Sequence, residues 1–354
     1  MQQLFALGSN GSGQLGIGHR EDVSVPKPVP LPPASSVTTI AAGGNHTLLL
    51  TSDGTLFGAG DATSGAIGSS PSDSQFHQLA TASPVTHIAA SWTASFFTTG
   101  SPPTALYALG TGLKGELGLG QLIIRTPSAS LVPNFPPQGT HIVDLSASMA
   151  HAVAVLSDGS VWGWGAARKG QLGPVPGNEA VVYSPRKIDG VSFAVTRAIC
   201  GKEFTCLFGT TDDGKMMILG SDKWGVQTKA PAATKISGWK DVGAGWSNVY
   251  VLCGDGTVVS WGRDDHGQMV PQDLSKAAKI AIGSEHALSL SDDGEVTAWG
   301  WGEHGNCGPG EAESGKGQRG VIASLKYAPK GSKITTIGAG CATSWVAIDV
   351  PEET

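Results

Sequence analysis

Charged residues are scarce in this sequence, and they do not cluster. Asp, Glu, Lys and Arg make up 15% of the 354 residues, the formal net charge is −6, and neither end carries a Lys/Arg-rich tail. A domain that binds nucleic acid normally shows a clustered basic patch. A membrane-spanning helix needs about 18 consecutive apolar residues, and the sequence has no such run. We therefore expect no direct contact with nucleic acid and no membrane insertion.

Cysteine is also rare, and the familiar catalytic motifs are missing. The five cysteines contain no C-x-x-C pair, so free thiols in a reducing compartment are expected. Met1 leads into a strand without a signal peptide, which indicates the cytosol, with the nucleus as a second location. No G-x-x-x-x-G-K-[ST] and no H-E-x-x-H motif occurs. We accordingly predict no enzyme activity, no catalytic residues, no cofactor and no metal site.

Glycine, in contrast, is abundant, and it marks a repeat. The 51 glycines follow no G-x-y triplet period. Segments 40–60, 145–165 and 280–300 share one pattern: an apolar run, a tight corner, an alternating run, an Asp-Gly turn and a second alternating run that ends in Gly. Asp-Gly is typical of two-residue hairpin turns. Each copy therefore predicts three short antiparallel strands.

The final glycine of the third strand recurs seven times, at intervals of 38 to 55 residues. Its positions are Gly8, Gly60, Gly110, Gly165, Gly220, Gly262 and Gly300. Repeats of about 40 to 50 residues with four short strands each are typical of β-propeller blades. The sequence predicts an all-β, seven-bladed β-propeller of roughly 28 strands that occupies residues 1–354 as a single domain.

The two ends of the sequence predict how the ring closes. The last copy, at about 334–350, stops after two strands, whereas residues 2–32 supply a third and a fourth strand without the first two. Together they make one complete blade, and their pairing removes an open sheet edge. The sixth blade is expected to carry a polar insertion at 309–333, with its middle, 311–320, mobile.

Three histidines recur at one position of the repeat, just after the first corner. His46, His151 and His286 belong to blades that are not neighbours, so a shared metal site is unfavourable geometrically. We expect each imidazole to be buried and to bond to nearby backbone at its corner. The fourth and fifth copies carry Phe204 and Asn248 there instead.

The repeat motifs resemble a known family. The patterns W-G-x-N-x-x-G-Q-L-G and G-x-x-H-T alternate along essentially the whole chain, and they are similar to the regulator of chromosome condensation repeat family. The opening LFALGSNGSGQLGIGHREDVSVP (4–26) looks most like a fungal branch, the alpha-tubulin suppressor or killer-toxin-insensitivity propellers. That resemblance implies a heterodimer with a small CSL-type zinc-binding protein of diphthamide biosynthesis. It also implies a link to the Elongator complex and to tRNA wobble-uridine modification.

Four of the ten tryptophans follow no packing rule of the repeat. Trp92 and Trp246 occupy the variable residue of the first corner, while Trp224 and Trp301 lie in the loop after the third strand. In an up-and-down blade the first and third connections emerge on the same face, so the four should converge on one rim, and exposed aromatic side chains are typical of interface anchors. The predicted partner-binding residues are these four with Lys202, Asp265, His266 and His304. Alternatively, the indoles fold back over the ends of the central channel.

Two other functions are consistent with the same family. The first is a guanine-nucleotide exchange factor for a Ran-type small GTPase, although this chain has no basic tail and no clear β-wedge. The second is a tryptophan-based ultraviolet photoreceptor, which needs several G-W-R-H-T corners. Only the partial match at 245–248 is present. The leading hypothesis is a non-enzymatic scaffold that binds a small protein.

Overall fold

Antiparallel sheets arranged in a ring account for nearly all of the regular structure. A computed structural model describes residues 1–32, 36–69, 73–310 and 317–352. In these residues the strands group into seven separate sheets. The first strand of every sheet lines a central channel, and successive strands lie farther out. This is the predicted seven-bladed propeller, and the fold class is confirmed.

The blades are numbered in chain order, and their strands have the following bounds. The chain opens with β1 (Gln2–Gly8) and β2 (Val23–Pro28). Blade 1 contains β3 (Val37–Ala42), β4 (His46–Thr51), β5 (Leu56–Gly60) and β6 (His77–Gln78). Blade 2 contains β7 (Val85–Ala90), β8 (Ala94–Thr99), β9 (Ala105–Thr111) and β10 (Arg125–Leu131). Blade 3 contains β11 (Ile142–Ser148), β12 (His151–Leu156), β13 (Val161–Ala166) and β14 (Val181–Lys187).

The remaining blades vary more in their outer part. Blade 4 contains β15 (Arg197–Cys200), β16 (Phe204–Phe208) and β17 (Met216–Gly220), and blade 5 contains β18 (Trp239–Ala244), β19 (Asn248–Cys253) and β20 (Val258–Gly262). Blade 6 contains β21 (Ala277–Ile282), β22 (His286–Ser291), β23 (Glu295–Gly300) and β24 (Gln318–Ser324). Last come β25 (Lys333–Ala339) and β26 (Thr343–Asp349), and the helical pieces are α1 (Ala233–Ile236) and 3₁₀ turns at Pro176–Asn178 and Leu325–Tyr327. None of the helices in the described ranges has the length and apolar character to span a bilayer.

Blade 7 closes the ring as predicted. Its strand order is β2-β1-β26-β25, so its two outer strands come from the start of the chain and its two inner strands from the end. β1 and β26 pair without a register shift from Gln2↔Asp349 to Gly8↔Thr343. The unbroken ladder covers edges that would otherwise be open to pairing with other chains.

The strand count differs from the expected 28 in two blades. Across the described residues, blades 4 and 5 have three strands each and no paired outer strand. The links that follow their third strands, 221–238 and 263–276, contain Pro231 and Pro271. Proline cannot donate to a strand ladder, and the outer strand buries the least apolar surface. It is therefore the strand that a blade can lose.

The polar segment expected as an insertion in blade 6 contains a strand that the sequence interpretation missed. Within 309–333, β24 pairs with β23 from Glu295↔Ser324 to Gly300↔Gln318. Its polar, Gly-containing sequence suits an edge strand, of which only one face packs. Residues 311–316 of the predicted mobile stretch lie outside the described residues.

Steric crowding explains why a glycine ends each third strand. Its φ angle lies between 101° and 122° in all seven blades, a region that L-residues rarely adopt. At Gly60, an added Cβ would lie 2.3 Å from the carbonyl oxygen of Asn45 in the first corner. The next residue, Asp61, donates its N–H to that same oxygen at 2.8 Å. The glycine thus lets the third loop hydrogen-bond to the first corner, and the same bond occurs in every blade.

Tryptophans within the strands pack between blades. Trp164 and Trp299 are fully buried and Trp261 nearly so. Each donates its indole N–H to a carbonyl of the preceding blade: Trp164 to Glu116, Trp261 to Val226 and Trp299 to Gln268, at 2.7 to 3.1 Å. These bonds join neighbouring sheets within the core.

The three corner histidines are buried, but their hydrogen-bond partner differs from the prediction. Nε2 of His46 lies 2.9 Å from Ser95 Oγ, and His151 and His286 contact Thr205 and Ser344 in the same way. The partner is therefore a side-chain hydroxyl on the next blade, not backbone at the same corner. Burial lowers the pKa of each imidazole to about 4, so all three are neutral at pH 7.

Candidate aromatic interface

The first corners and third-strand loops form one side of the disc, called here the upper face. Backbone hydrogen bonds join several neighbouring corners at the channel mouth: Gly44 N–H donates to Trp92 O, Trp92 N–H to Met149 O, and Trp246 N–H to Ser284 O, at 2.7 to 3.0 Å. Each bond joins adjacent blades. The variable corner residue is consequently held at the edge of the channel, with its side chain free to extend over it.

Trp92 and Trp246 meet at this channel mouth. Their ring centroids are 5.9 Å apart and the ring planes are tilted by 47°. They belong to blades 2 and 5, which are not neighbours, so the pair reaches across the mouth. Other corners contribute small residues such as Gly44 and Ser284, which leaves room for the two indoles. Trp92 and Trp246 thus lie over the end of the central channel, as the alternative interpretation of the sequence expected.

A cleft of about 360 Å³ lies beside this pair, between blades 4, 5 and 6. Three of the predicted tryptophans line it, namely Trp224, Trp246 and Trp301. Trp301 is 36% exposed, and the other two are partly exposed. The structure thus brings together residues from three blades, and each of the three indoles keeps some surface exposed to solvent.

Cations and aromatic rings alternate along the wall of the cleft. The Arg263 guanidinium lies 5.0 Å from the centroid of Trp224 and 5.9 Å from that of Trp301. On the outer sides, Lys223 Nζ is 5.3 Å from Trp224 and the His266 ring stacks on Trp301 at 4.0 Å. Cation–π contacts of this kind contribute about 0.5–2 kcal/mol each. The row fixes the orientation of both indoles.

The carboxylates of Glu285 and Asp265 hold Arg263 at the centre of this row. Its Nη1 donates to Glu285 Oε1 at 2.8 Å, and its Nη2 donates to Asp265 Oδ2 at 2.8 Å. Glu285 is buried and also accepts from Gln268 Nε2 at 2.9 Å. The hydrogen bond from Arg263 lowers the pKa of Asp265, and the same contact raises the pKa of Arg263. Both partners stay charged at neutral pH.

The other predicted site residues divide into two groups. Lys202 lies at the cleft with its Nζ 5.0 Å from the Trp246 centroid, and Asp265 and His266 flank the cation–aromatic row. His304 is elsewhere, because its Nδ1 contacts Asp22 Oδ2 at 2.8 Å across the junction of blades 6 and 7. Which of these residues bind a partner stays a prediction.

Sequence reasoning missed four charged residues of the cleft: Arg263, Lys223, Glu285 and Glu203. One signal was present for Arg263. It directly follows the last glycine of a third strand, where the other six blades carry uncharged residues or, in blade 1, Asp61. A lone arginine in a structural position of a repeat indicates a local role. Nothing in the pattern marked the two glutamates.

Metal ligands do not converge in the part of the chain that the structure describes. No three His, Cys, Asp or Glu side chains there come close enough to hold an ion. The chemistry that the cleft offers is therefore that of flat apolar rings, fixed cations and hydrogen-bonding carboxylates.

Comparisons with known proteins give one family and several relatives. The RCC1-like domain (WD40_RLD) family matches residues 3–346. The RCC1 repeat-containing protein C10F6.04 of Schizosaccharomyces pombe is 32% identical over 80% of this chain and 83% of its own length. The secretion-regulating guanine nucleotide exchange factor of Mus musculus is 27% identical over 98% of this chain and 84% of its own length.

A solved structure supports the same architecture. Prp20p of Saccharomyces cerevisiae, described with its binding properties to Gsp1p and histones, superposes with a TM-score of 0.84. The match covers 99% of this chain and 92% of that chain at 20% sequence identity. At this identity the similarity shows a shared fold.

Proposed function

Because this chain belongs to the RCC1-like domain family, we propose that it is a non-enzymatic scaffold that binds a small protein through its upper face. The proposed partner is the small CSL-type zinc protein that the sequence resemblance implies. The resulting heterodimer would serve diphthamide biosynthesis and Elongator-dependent tRNA wobble-uridine modification. It would act in the cytosol, and also in the nucleus.

The cation–aromatic row of the cleft is the observation that carries this proposal. Trp224 and Trp301 are partly exposed, yet Arg263 between them fixes their positions. Large rings held rigid before binding lose little conformational entropy on binding. Tryptophan and arginine are also the residues most enriched at energetic hot spots of protein interfaces. The cleft therefore has the chemistry of an interface anchor.

The proposal is tested by titrating the purified chain with the recombinant CSL-type zinc protein of the same organism, followed by calorimetry. Trp224→Ala and Trp301→Ala should each weaken binding by about 2 kcal/mol or more, roughly 30-fold in Kd. Tyr327→Ala is the matched control, since Tyr327 is 91% exposed and belongs to the turn on the opposite face whose Leu325 N–H donates to Gly294 O. A chain that forms no complex with this protein would contradict the proposal.

The second candidate is guanine-nucleotide exchange. The specific observation in its favour is that the mouse secretion-regulating guanine nucleotide exchange factor aligns with 98% of this chain. Exchange requires only that the propeller bind a GTPase more tightly without nucleotide than with it, and a rigid aromatic face can serve that purpose. Release of a fluorescent GDP analogue from a Ran-type GTPase, with and without this chain, decides between the candidates. Accelerated release that Trp224→Ala abolishes would favour exchange.

A further inference from the structure

Charge is unevenly distributed over the upper face. Six cations lie on blades 2 to 4, in third-strand loops, at a first corner or at the start of β10: Lys114, Arg125, Arg168, Lys169, Lys202 and Lys223. In the described part of the chain, none of the six forms an ion pair. All six are exposed.

Carboxylates outnumber cations on the rest of the same face. The loops and corners of blades 5, 6 and 7 carry six carboxylates and two cations, namely Asp264, Asp265, Glu285, Glu303, Glu21 and Asp22 with Arg263 and Arg20. On blades 2 to 4 the six cations outnumber four carboxylates, Glu116, Glu179, Glu203 and Asp222. Charges separated by more than about 8–10 Å are screened from one another at physiological salt. A partner therefore responds to the local sign of the face and not to the net charge of −6.

Exposed aliphatic side chains lie among the cations of blade 2. Leu122 is 96% exposed and Leu113 is 70% exposed, and Ile123 and Ile124 are also exposed. The two segments are adjacent, because Gly112 N–H donates to Ile124 O at 2.8 Å. Single exposed apolar residues are ordinary, but a contiguous group of four large aliphatic side chains indicates a contact site. We call this group and the six cations the basic-apolar arc.

The arc is continuous with the cleft. Trp92 belongs to blade 2, as does the aliphatic group, and it contacts Trp246, which lines the cleft. Lys202 and Lys223 belong to the arc and also lie on the ring faces of Trp246 and Trp224. A partner seated in the cleft would thus meet the arc on the same face.

We propose that the basic-apolar arc is a second docking element of the upper face, occupied by an acidic protein surface with apolar side chains at its centre. The proposal rests on the proposed function, because the occupant is taken to be the same small protein that fills the cleft. Unpaired cations around the aliphatic group favour carboxylates in the surrounding partner surface. Nucleic acid fits less well, because bases stack on aromatic rings and the arc offers aliphatic side chains at its centre.

Two double variants test the arc against the recombinant CSL-type zinc protein. Leu122→Ser/Ile124→Ser should weaken binding about tenfold or more, through loss of buried apolar contact. Lys114→Gln/Lys169→Gln should weaken binding at low salt and reduce the dependence of Kd on salt concentration. The control, Lys326→Gln/Lys330→Gln, changes the same charge on the opposite face and should leave Kd unchanged. Equal thermal midpoints for all variants would show that each is folded.

The outcomes separate the two proposals. A complex whose affinity neither arc variant changes would overturn the arc and leave the proposed function in place. If no complex forms, both fail. An oligouridine probe covers the alternative: RNA binding that is lost in Lys114→Gln/Lys169→Gln but kept in Leu122→Ser/Ile124→Ser would overturn a protein occupant.

Discussion

Acidification should destabilise this propeller through its three buried corner histidines. Burial lowers the pKa of His46, His151 and His286 to about 4 in the folded chain, whereas in the unfolded chain each returns to about 6.5. Between these two values the unfolded state binds more protons than the folded state. The stability that depends on neutral imidazole is therefore fully present above about pH 6.5 and is lost as the pH falls toward 4.

The size of the effect follows from the two pKa values. At pH 5.5 each histidine is about 0.9 protonated in the unfolded chain and almost unprotonated in the folded chain. Over the three sites the unfolded state therefore binds about 2.6 more protons than the folded state, and the free energy of unfolding changes by about 3.6 kcal/mol per pH unit. Burial also lowers the pKa of His87, which adds to the slope in the same direction. Burial raises the pKa of Glu116, Asp144 and Asp241, which acts in the opposite direction. Summed from pH 7 to pH 5, the three sites remove about 5.5 kcal/mol, which is similar to the lower end of the roughly 5–15 kcal/mol by which folded proteins are stable. Strong destabilisation near pH 5 is therefore expected.

Urea unfolding followed by tryptophan fluorescence, at pH steps from 7 to 5 and constant ionic strength, measures this slope. His286→Asn is the informative variant, because blade 5 already carries Asn248 at the same position, where its side chain donates to Arg263 O. The variant should lose about one third of the slope. If His286→Asn and the parent chain show the same slope, buried imidazole is not the cause and the reasoning fails.

Two further predictions concern packing and backbone. Leu7→Ala should lower the free energy of unfolding by about 3 kcal/mol, because Leu7 is fully buried between blades 6 and 7 and its truncation leaves a cavity. Leu122 is almost fully exposed, so Leu122→Ala should change the free energy of unfolding by less than about 0.5 kcal/mol. Equal urea midpoints for the two variants would contradict this account. Gly60→Ala should cost at least about 3 kcal/mol, since its Cβ would meet the Asn45 carbonyl at positive φ. Gly18→Ala, also at positive φ but with no atom within 4 Å of its Cβ, should cost only about 1–2 kcal/mol.

Much of the fold could be predicted from the sequence, because local chemistry repeats. Gly60 and its six equivalents mark the end of each third strand through a steric requirement that no other residue meets. The half-repeats at the two ends of the chain predict the pairing of β1 with β26. Outer strands were less predictable, because an edge strand such as β24 buries little apolar surface and needs no hydrophobic alternation.

The site was predictable only where one blade determines the position. Trp224 and Trp301 could be assigned to the upper face from repeat position alone. The contact of Trp92 with Trp246 joins blades that are distant in sequence and not adjacent in the ring, so it depends on the diameter of the channel mouth. The role of Arg263 likewise depends on Glu285, a buried residue of the next blade.

The β1–β26 ladder has a consequence for how the chain folds during translation. Residues 2–8 leave the ribosome before the six blades that separate them from their partners at 343–349, so Leu4 and Leu7 stay unburied while those blades are made. Contacts of such long sequence separation form slowly, and an unpaired apolar strand is prone to aggregation while it waits. We expect the nascent protein to depend on a chaperone that shields its first strand until the last one emerges.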